Sequence, residues 1–274
     1  MKIDVLDHGF VELIDVMGDD KAIVDAARQS YGKGTTTVSD DRALIRYLMR
    51  RGHTTPFEMV EFKFAIRLPV FVGRQLVRQR TANLNEYSGR FSIMPGLFYI
   101  PSPERVGRQS TTNKQGTGEP LSQERALAFV QWVSDTCETI YSEYEHWVDP
   151  EGDDVSRELA RIALPVNIYS DWTWKLDLHN MFKLLNQRLD HHAQWEIRQY
   201  AEAIAKVVKE RCPVAWEAFQ DYQRQAVTFS RMEMATLRRL IKAGNFPTAL
   251  IVDDLASERM GSREAREFWE KIKA

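Results

Sequence analysis

The sequence predicts an α+β fold in which helices pack on a small, mostly antiparallel sheet, followed by a helical C-terminal tail. Two observations predict this class. Apolar and polar residues alternate in a few short stretches before residue 70, which is typical of half-buried strands. Most of the remaining chain carries apolar residues at the spacing of helices, and strands followed by a run of helices indicate an α+β domain.

The predicted sheet begins at the N-terminus. Two strands are expected at 2–5 and 10–16, because turn residues separate two apolar stretches there. A third strand is expected at 60–67, where every second residue is apolar, and Pro69 ends it. A helix is expected to follow and to continue to about Arg80.

Two helices are expected between the second and third strands, one around 22–27 and one from about Asp41. The loop between them contains a Gly-Lys-Gly segment at 32–34. It lacks the GxxxxGK[ST] spacing with which a phosphate loop wraps its ligand. We therefore interpret it as a connection that ends in an N-cap residue, Ser39 or Asp40.

The second half of the chain is predicted to be mainly helical. The polar, glycine-rich segment 106–120 is expected to be a surface loop. Helices are then expected at 122–147, 155–164, 176–189 and 193–210. We predict two domains, a main domain at 1–222 and a helical C-terminal extension at 223–274.

The composition argues against several classes of protein. No apolar run is long enough to span a membrane, and the start MKIDVLDHGF lacks the features of a signal peptide, so we expect a cytoplasmic protein without membrane partners. The net charge of −2 argues against a basic surface for nucleic acid. The two cysteines, Cys137 and Cys212, form neither a disulfide framework nor a CxxC motif.

Residues 78–90, with the sequence RQRTANLNEYSGR, combine three arginines with a carboxylate, amides and a hydroxyl. The guanidinium group matches phosphate oxygens, whereas Glu86 and Ser88 suit sugar hydroxyls or a base edge. On the expected helix before them, Gln75 and Arg78 are three residues apart and share a face. The segment therefore indicates a site for a phosphorylated, hydrogen-bonding ligand.

Two other interpretations of these arginines stay open. A solvated charged face followed by a surface loop has the same composition. In a nucleic-acid-binding module the backbone phosphates would be held by Arg74, Arg78, Arg80 and Arg90. That alternative lacks a known RNA or DNA motif and an overall basic balance.

Four motifs of the chain stand in the order found in one enzyme family. Besides residues 78–90, they are RGHTTPFE at 51–58, RIALPVN at 161–167, and Arg188 with HAQWEIRQYA at 192–201. On these motifs the chain resembles the flavin-dependent thymidylate synthases, whose signature is RHR followed by seven residues and Ser. The resemblance implies that FAD, NADPH and 5,10-methylenetetrahydrofolate serve the methylation of dUMP to dTMP. It also implies a homotetramer with sites shared between subunits.

The resemblance assigns roles by position. The residues matching the family's FAD contacts are Ser30, His53, Thr55, Arg78, Gln79, Arg80, Glu86, Asp177, His179 and Lys183. The residues matching the dUMP site are Gln75, Arg78, Glu86, Tyr87, Ser88, Gly89, Arg90, Arg161 and Arg188. Arg188 matches the arginine that contacts the uracil ring, and it is the catalytic candidate.

One residue departs from the signature, because Gln79 stands where the family has histidine. An amide donates and accepts hydrogen bonds, but it does not titrate near neutral pH as an imidazole does. A role that needs a protonated imidazole is therefore not expected at this position, whereas flavin binding is.

Several site residues also have ordinary structural interpretations. His53 could cap a helix that ends at Gly52, and Arg188 could meet the dipole at a helix end. Arg161 lies three residues after Glu158, a spacing that suits an ion pair on a helix.

Neither a metal site nor a cysteine nucleophile is expected. His191, His192 and Glu196 are the nearest approach to a metal cluster, but without an HExxH motif we assign them a structural or subunit-contact role and predict no metal. Both cysteines lie far from the signature in sequence, so no thiolate is available to activate uracil by addition. We give Ser88 a binding role, since no histidine base accompanies it.

Overall fold

The computed structural model describes residues 1–30 and 40–243, and an antiparallel sheet lies at its centre. The strands of the described residues are β1 (Lys2–Val5), β2 (Gly9–Met17), β3 (Glu61–Pro69), β4 (Asn83–Glu86), β5 (Gly107–Gln109), β6 (Thr117–Pro120) and β7 (Tyr169–Asp177). The central sheet has the order β1-β2-β3-β7-β4, and β5 pairs with β6 in a separate small sheet. Because β4 is an edge strand, the middle of the arginine-rich signature, residues 78–90, lies at the border of the sheet.

The helices are α1 (Asp20–Gln29), α2 (Asp41–Arg50), α3 (Thr55–Glu58), α4 (Val70–Leu76), α5 (Gln123–Trp147), α6 (Arg157–Ala160), α7 (Leu178–Arg188), α8 (Trp195–Arg211), α9 (Pro213–Phe219) and α10 (Arg231–Ala243). The chain divides into two compact units, 1–224 and 225–274, and α10 is the described element of the second. No helix in the part of the chain that the structure describes has the length and apolar character to cross a membrane.

The main core lies between the sheet and the helices of the first unit. Strand β3 shows why the chain folds this way, since Phe62, Phe64 and Leu68 are fully buried while Lys63 between them is exposed. Burying an aromatic or aliphatic side chain of this size contributes roughly 1.5–3 kcal/mol. A smaller core of Met94, Phe98, Cys137, Tyr144, Val148 and Ile168 lies under α5.

The structure confirms the α+β class, the first three strands, and the helices predicted around 22–27, from Asp41 and at 122–147. It also confirms that Pro69 ends β3 and that Asp40 caps α2, since its side chain accepts from the backbone of Arg42 and Ala43. The Gly-Lys-Gly segment at 32–34 and Ser39 lie outside the described residues.

Several predicted boundaries were wrong. The helix expected to reach Arg80 ends at Leu76, because the chain must leave the helix to pair as β4. The helix expected at 176–189 begins at Leu178, because the residues before it form β7. The predicted loop 106–120 contains the β5–β6 pair.

In the second half, the helix expected at 155–164 is a short α6 followed by a 3-10 turn, and Pro165 follows that turn. The helix expected at 193–210 is confirmed as α8, which begins at Trp195 and ends at Arg211. Helix α9, which was not predicted, occupies Pro213–Phe219.

Candidate active site

The arginine signature begins where α4 ends. The backbone N–H of Val77 still donates to Gly73, but the N–H of Gln79 donates to Leu76 in a tighter turn, and the chain then continues into β4. Arg78 and Arg80 are exposed, and no described residue forms an ion pair or hydrogen bond with either guanidinium. These two cations are therefore available to an anionic ligand. The expected shared helix face of Gln75 and Arg78 does not exist, since Arg78 lies beyond the helix.

Gln79 connects the signature to the start of α7. Its Nε2 donates to Thr81 Oγ1 at 2.8 Å and lies 3.4 Å from Asn180 Oδ1. Asn180 belongs to the first turn of α7, close in sequence to the FAD candidates Asp177, His179 and Lys183. The structure thus brings the signature next to the 177–183 segment, which is far away in sequence.

Asp177 is the N-cap residue of helix α7. Its carboxylate caps α7 by accepting from the Asn180 backbone N–H at 2.9 Å and from Asn180 Nδ2 at 2.7 Å. Asn180 therefore joins the group of site residues, although sequence reasoning missed it. An aspartate followed three residues later by a second side chain that can bond back is a capping pattern that could have indicated it. His179 is half-buried and Lys183 is exposed.

His53 lies just after α2, beside an aromatic ring. Backbone hydrogen bonds cap the C-terminus of helix α2. Gly52 has a φ of 70°, its N–H donates to the carbonyl of Met49, and the N–H of His53 donates to the carbonyl of Leu48. The imidazole takes no part in this cap. It is exposed and stacks on Tyr47, with ring centroids 6.1 Å apart.

Thr55 and Ser30 stand at neighbouring element ends. Thr55 is the first residue of α3 and Ser30 follows the last residue of α1, and both side chains are exposed. Helix α3 packs against both α1 and α7, so the elements next to Ser30, Thr55 and Asp177 contact one another although they are far apart in sequence.

Arg188 reaches from the end of α7 to α4. Its Nη2 donates to the backbone carbonyl of Gln75 at 3.0 Å, and the Gln75 side chain donates to Gln194 Oε1 at 2.6 Å. The Nε of Arg188 is buried and has no hydrogen-bond partner among the described residues. Burial lowers the pKa of Arg188. Such an unsatisfied donor costs on the order of 1–3 kcal/mol, which a ligand carbonyl or anion would offset.

The residues from Glu86 to Arg90 form a second group. Glu86 Oε1 accepts from Ser170 Oγ at 2.8 Å, and the Tyr87 hydroxyl donates to the carbonyl of Ile93 at 2.8 Å. Ser88 Oγ accepts from the backbone N–H of Arg90 at 3.3 Å. These contacts hold the loop in one shape and leave the outer faces of its polar groups exposed.

Arg161 joins this second group. Gly89 is buried, and a Cβ placed on it would lie 3.2 Å from Cδ of Arg161, so the arginine stem lies against the loop. Glu158 pairs with Arg90 at 3.1 Å and with no other residue among those described, so the alternative interpretation of Arg161 as its ion-pair partner is not supported. Arg161 is exposed at the start of the 3-10 turn.

In residues 1–30 and 40–243, no hydrogen bond or ion pair joins the two groups, that is, Gln75 or Arg188 to Ser88, Arg90 or Arg161.

His191 and His192 lie just before α8. His192 and Glu196 do not share a helix, because α8 begins at Trp195, and Glu196 is buried and accepts from the Tyr99 hydroxyl at 3.2 Å. The polar groups that do converge are those of Asp190, His191 and His192, at the surface. His192 Nδ1 lies 2.8 Å from Asp190 Oδ1.

Among the described residues, neither cysteine forms a hydrogen bond with a candidate site residue. Both thiols are free and buried. Cys137 contacts the side chain of Asn167 in the smaller core, and burial raises the pKa of Cys212, so that thiol stays neutral at physiological pH.

The family model and the relatives that match this chain agree on one enzyme family. Residues 12–214 match the family model described as thymidylate synthase complementing protein. A flavin-dependent thymidylate synthase from Ruegeria pomeroyi is 49% identical over 269 residues, covering 98% of this chain and 87% of the relative. The enzyme of the same name from Thermus thermophilus is 47% identical over 99% of this chain and 96% of its own length.

Solved structures show the same fold. A UMP/dUMP methylase from Streptomyces cacaoi, bound with 5-Br UMP, superposes with a TM-score of 0.72 at 31% identity. The match covers 81% of this chain and 98% of the methylase. A second structure of that methylase, bound with 5-Br dUMP, gives a TM-score of 0.71.

Proposed function

The chain belongs to the flavin-dependent thymidylate synthase family, and on that premise we propose that it methylates dUMP to dTMP with FAD, NADPH and 5,10-methylenetetrahydrofolate. The observation that carries the substrate assignment is Arg188, which donates to the Gln75 carbonyl and whose buried Nε has no hydrogen-bond partner in the part of the chain that the structure describes. The carbonyl oxygens of a uracil ring are suitable hydrogen-bond acceptors for this N–H donor.

The residues present fit a flavin and a nucleotide. Arg78 and Arg80 supply unpaired cations for phosphate oxygens, and the amide of Gln79 is held by Thr81 and Asn180. A bound reduced flavin would supply the hydride that completes the methyl group. The structure offers no thiol for an alternative route through cysteine addition, because both thiols are buried.

Arg188 has the central role in the proposed mechanism. Methyl transfer at uracil C5 places negative charge on the N3 and O4 edge of the ring, and a fixed guanidinium beside that edge stabilises it. The hydrogen bond to Gln75 and the partial burial hold this cation in place before the reaction. Arg90 and Arg161 would bind the phosphate, and Ser88 and Glu86 the sugar.

We also propose that a second copy of the chain completes each site. Among the described residues, no hydrogen bond or ion pair joins the Gln75 and Arg188 group to the Ser88, Arg90 and Arg161 group, although the proposed dUMP site includes both. A homotetramer in which the groups face each other across subunits would bring both to one site.

The proposal is tested by spectroscopy and product analysis. The purified protein is expected to show a flavin spectrum, and anaerobic NADPH is expected to bleach it faster when dUMP is present. Adding 5,10-methylenetetrahydrofolate should then yield dTMP. A colourless protein that cannot be loaded with FAD, or a loaded protein that forms no dTMP, would contradict the proposal.

A further inference from the structure

A cleft of about 770 Å³ lies next to the Arg188 group, and its lining includes none of the residues assigned above to FAD or dUMP. One wall comes from the β5–β6 hairpin, including Asn113, and from Arg105 before it. The other wall comes from the segment that leads into α8, including Gln194, Trp195 and Arg198. Its volume is in the range of sites that hold a whole cofactor or a large substrate.

The cleft is cationic. The guanidinium of Arg105 stacks over the Trp195 ring at 4.5 Å, and its Nε is buried without a hydrogen-bond partner among the described residues. Arg198 adds a second, half-buried guanidinium. Glu196 is the only carboxylate among the described residues that line the cleft, and it is buried against the Tyr99 hydroxyl.

One residue connects the cleft to the candidate dUMP site. Gln194 lines the cleft, and its side chain accepts from Gln75, whose carbonyl accepts from Arg188. A ligand whose reactive end lies at Arg188 could therefore extend a second, anionic end past Gln194 into the cleft.

We propose that this cleft binds the anionic tail of a co-substrate of the dUMP reaction. The shared chemistry is a chain of carboxylate or phosphate groups, supplied by the glutamyl residues of the folate or by the phosphates of NADPH. Guanidinium groups bind both kinds of anion in a bidentate manner, and Trp195 fixes the plane of one of them. The inference rests on the proposed function, because it takes the ligand from that reaction.

The test uses the FAD-loaded enzyme with Arg105→Gln and Arg198→Gln. Arg125→Gln serves as the matched control, since Arg125 is exposed on α5 and does not line the cleft. KM is measured for 5,10-methylenetetrahydrofolate with one and with five glutamyl residues, and for NADPH. Arg198→Gln keeps the test valid if Arg105→Gln does not fold, because no hydrogen bond to the Arg198 side chain is present among the described residues.

Loss of one charged contact is expected to raise KM roughly tenfold. A rise confined to the pentaglutamyl folate supports the folate tail as the ligand, and a rise confined to NADPH supports its phosphates. Unchanged KM values for all three substrates in folded, flavin-loaded variants would overturn the inference. A wild-type enzyme that forms no dTMP would instead contradict the proposed function, so the two failures are distinguishable.

Discussion

Two arginines that sequence reasoning placed in one nucleotide site have different surroundings. Arg188 is half-buried and bonded to the backbone, whereas Arg90 is exposed and paired with Glu158 at the surface. A cation held in place before the reaction stabilises developing charge, whereas an exposed one that contacts phosphate contributes equally before and during the reaction. The two substitutions should therefore have different kinetic effects.

We expect Arg188→Ala to lower kcat by about a hundredfold, because one preorganised charge contact to a transition state is worth on the order of 3 kcal/mol. Flavin content should change little. Arg90→Ala should mainly raise the KM for dUMP. Steady-state kinetics of both variants at varied dUMP, with flavin absorbance measured alongside, check this. Normal turnover of Arg188→Ala at saturating dUMP, with turnover lost in Arg90→Ala, would reverse the two assignments.

The cysteines make a second prediction at the residue scale. Burial raises the pKa of Cys212, and Cys137 is enclosed in the smaller core, so neither thiol is suited to attack uracil. The double variant with Cys137→Ser and Cys212→Ala should therefore retain dTMP formation. Thermal melting and flavin content serve as controls for folding. Loss of turnover in a folded, flavin-loaded double variant would indicate a thiol mechanism.

At the residue scale, the sequence predicted the site members that form local motifs and missed those defined by tertiary contacts. The signature 78–90 is recognisable because its residues are contiguous. Asn180 was missed because its contact with Gln79 joins positions far apart in sequence. The surroundings of Arg188 were likewise not predictable, since both Gln75 and Gln194 come from other elements.

At the element scale, the alternation of apolar and polar residues led to the prediction of β3 but not of β7. Strand β7, with the sequence YSDWTWKLD, alternates too, but it runs directly into a helix and was missed. Strand β4 is fully exposed, so its four residues carry no apolar pattern at all. Its position depends on pairing with β7, which local propensity does not encode.

Close packing of α4 on β7 gives a prediction for Gly73. A Cβ at this position would lie 2.6 Å from the buried Trp172 ring. Gly73→Ala should lower the free energy of unfolding by about 1–2 kcal/mol, since overpacking costs about 1–3 kcal/mol and better helix propensity returns up to about 1 kcal/mol. The shift of α4 should also raise the KM for dUMP through Gln75. Denaturant unfolding and kinetics check both effects.

Gly152→Ala is the matched control for Gly73→Ala, because a Cβ there would have no neighbour closer than 3.6 Å. It should leave both the free energy of unfolding and the KM unchanged. Equal stability of Gly73→Ala and Gly152→Ala would show that Trp172 can move without cost.

At the scale of the whole molecule, the sequence predicted the fold class, and the resemblance implied sites shared between subunits. The main domain was expected at 1–222, and the structure has a compact unit at 1–224, a region that includes the family match at 12–214. The relatives align over 98–99% of the chain, so the segment after 224 is largely shared with them.

The proposed sharing of dUMP sites between subunits leads to the final prediction, on assembly. If each dUMP site takes Arg188 from one subunit and Arg90 from another, mixed oligomers contain sites in which both arginines are wild type. Co-expression of Arg188→Ala with Arg90→Ala should therefore give more activity at low dUMP than the average of the two variants assayed alone. Mixing the two purified variants without subunit exchange provides the control and should give only the average. If the co-expressed oligomers also gave only the average, each site would draw both arginines from the same chain, and the proposed sharing of sites would be wrong.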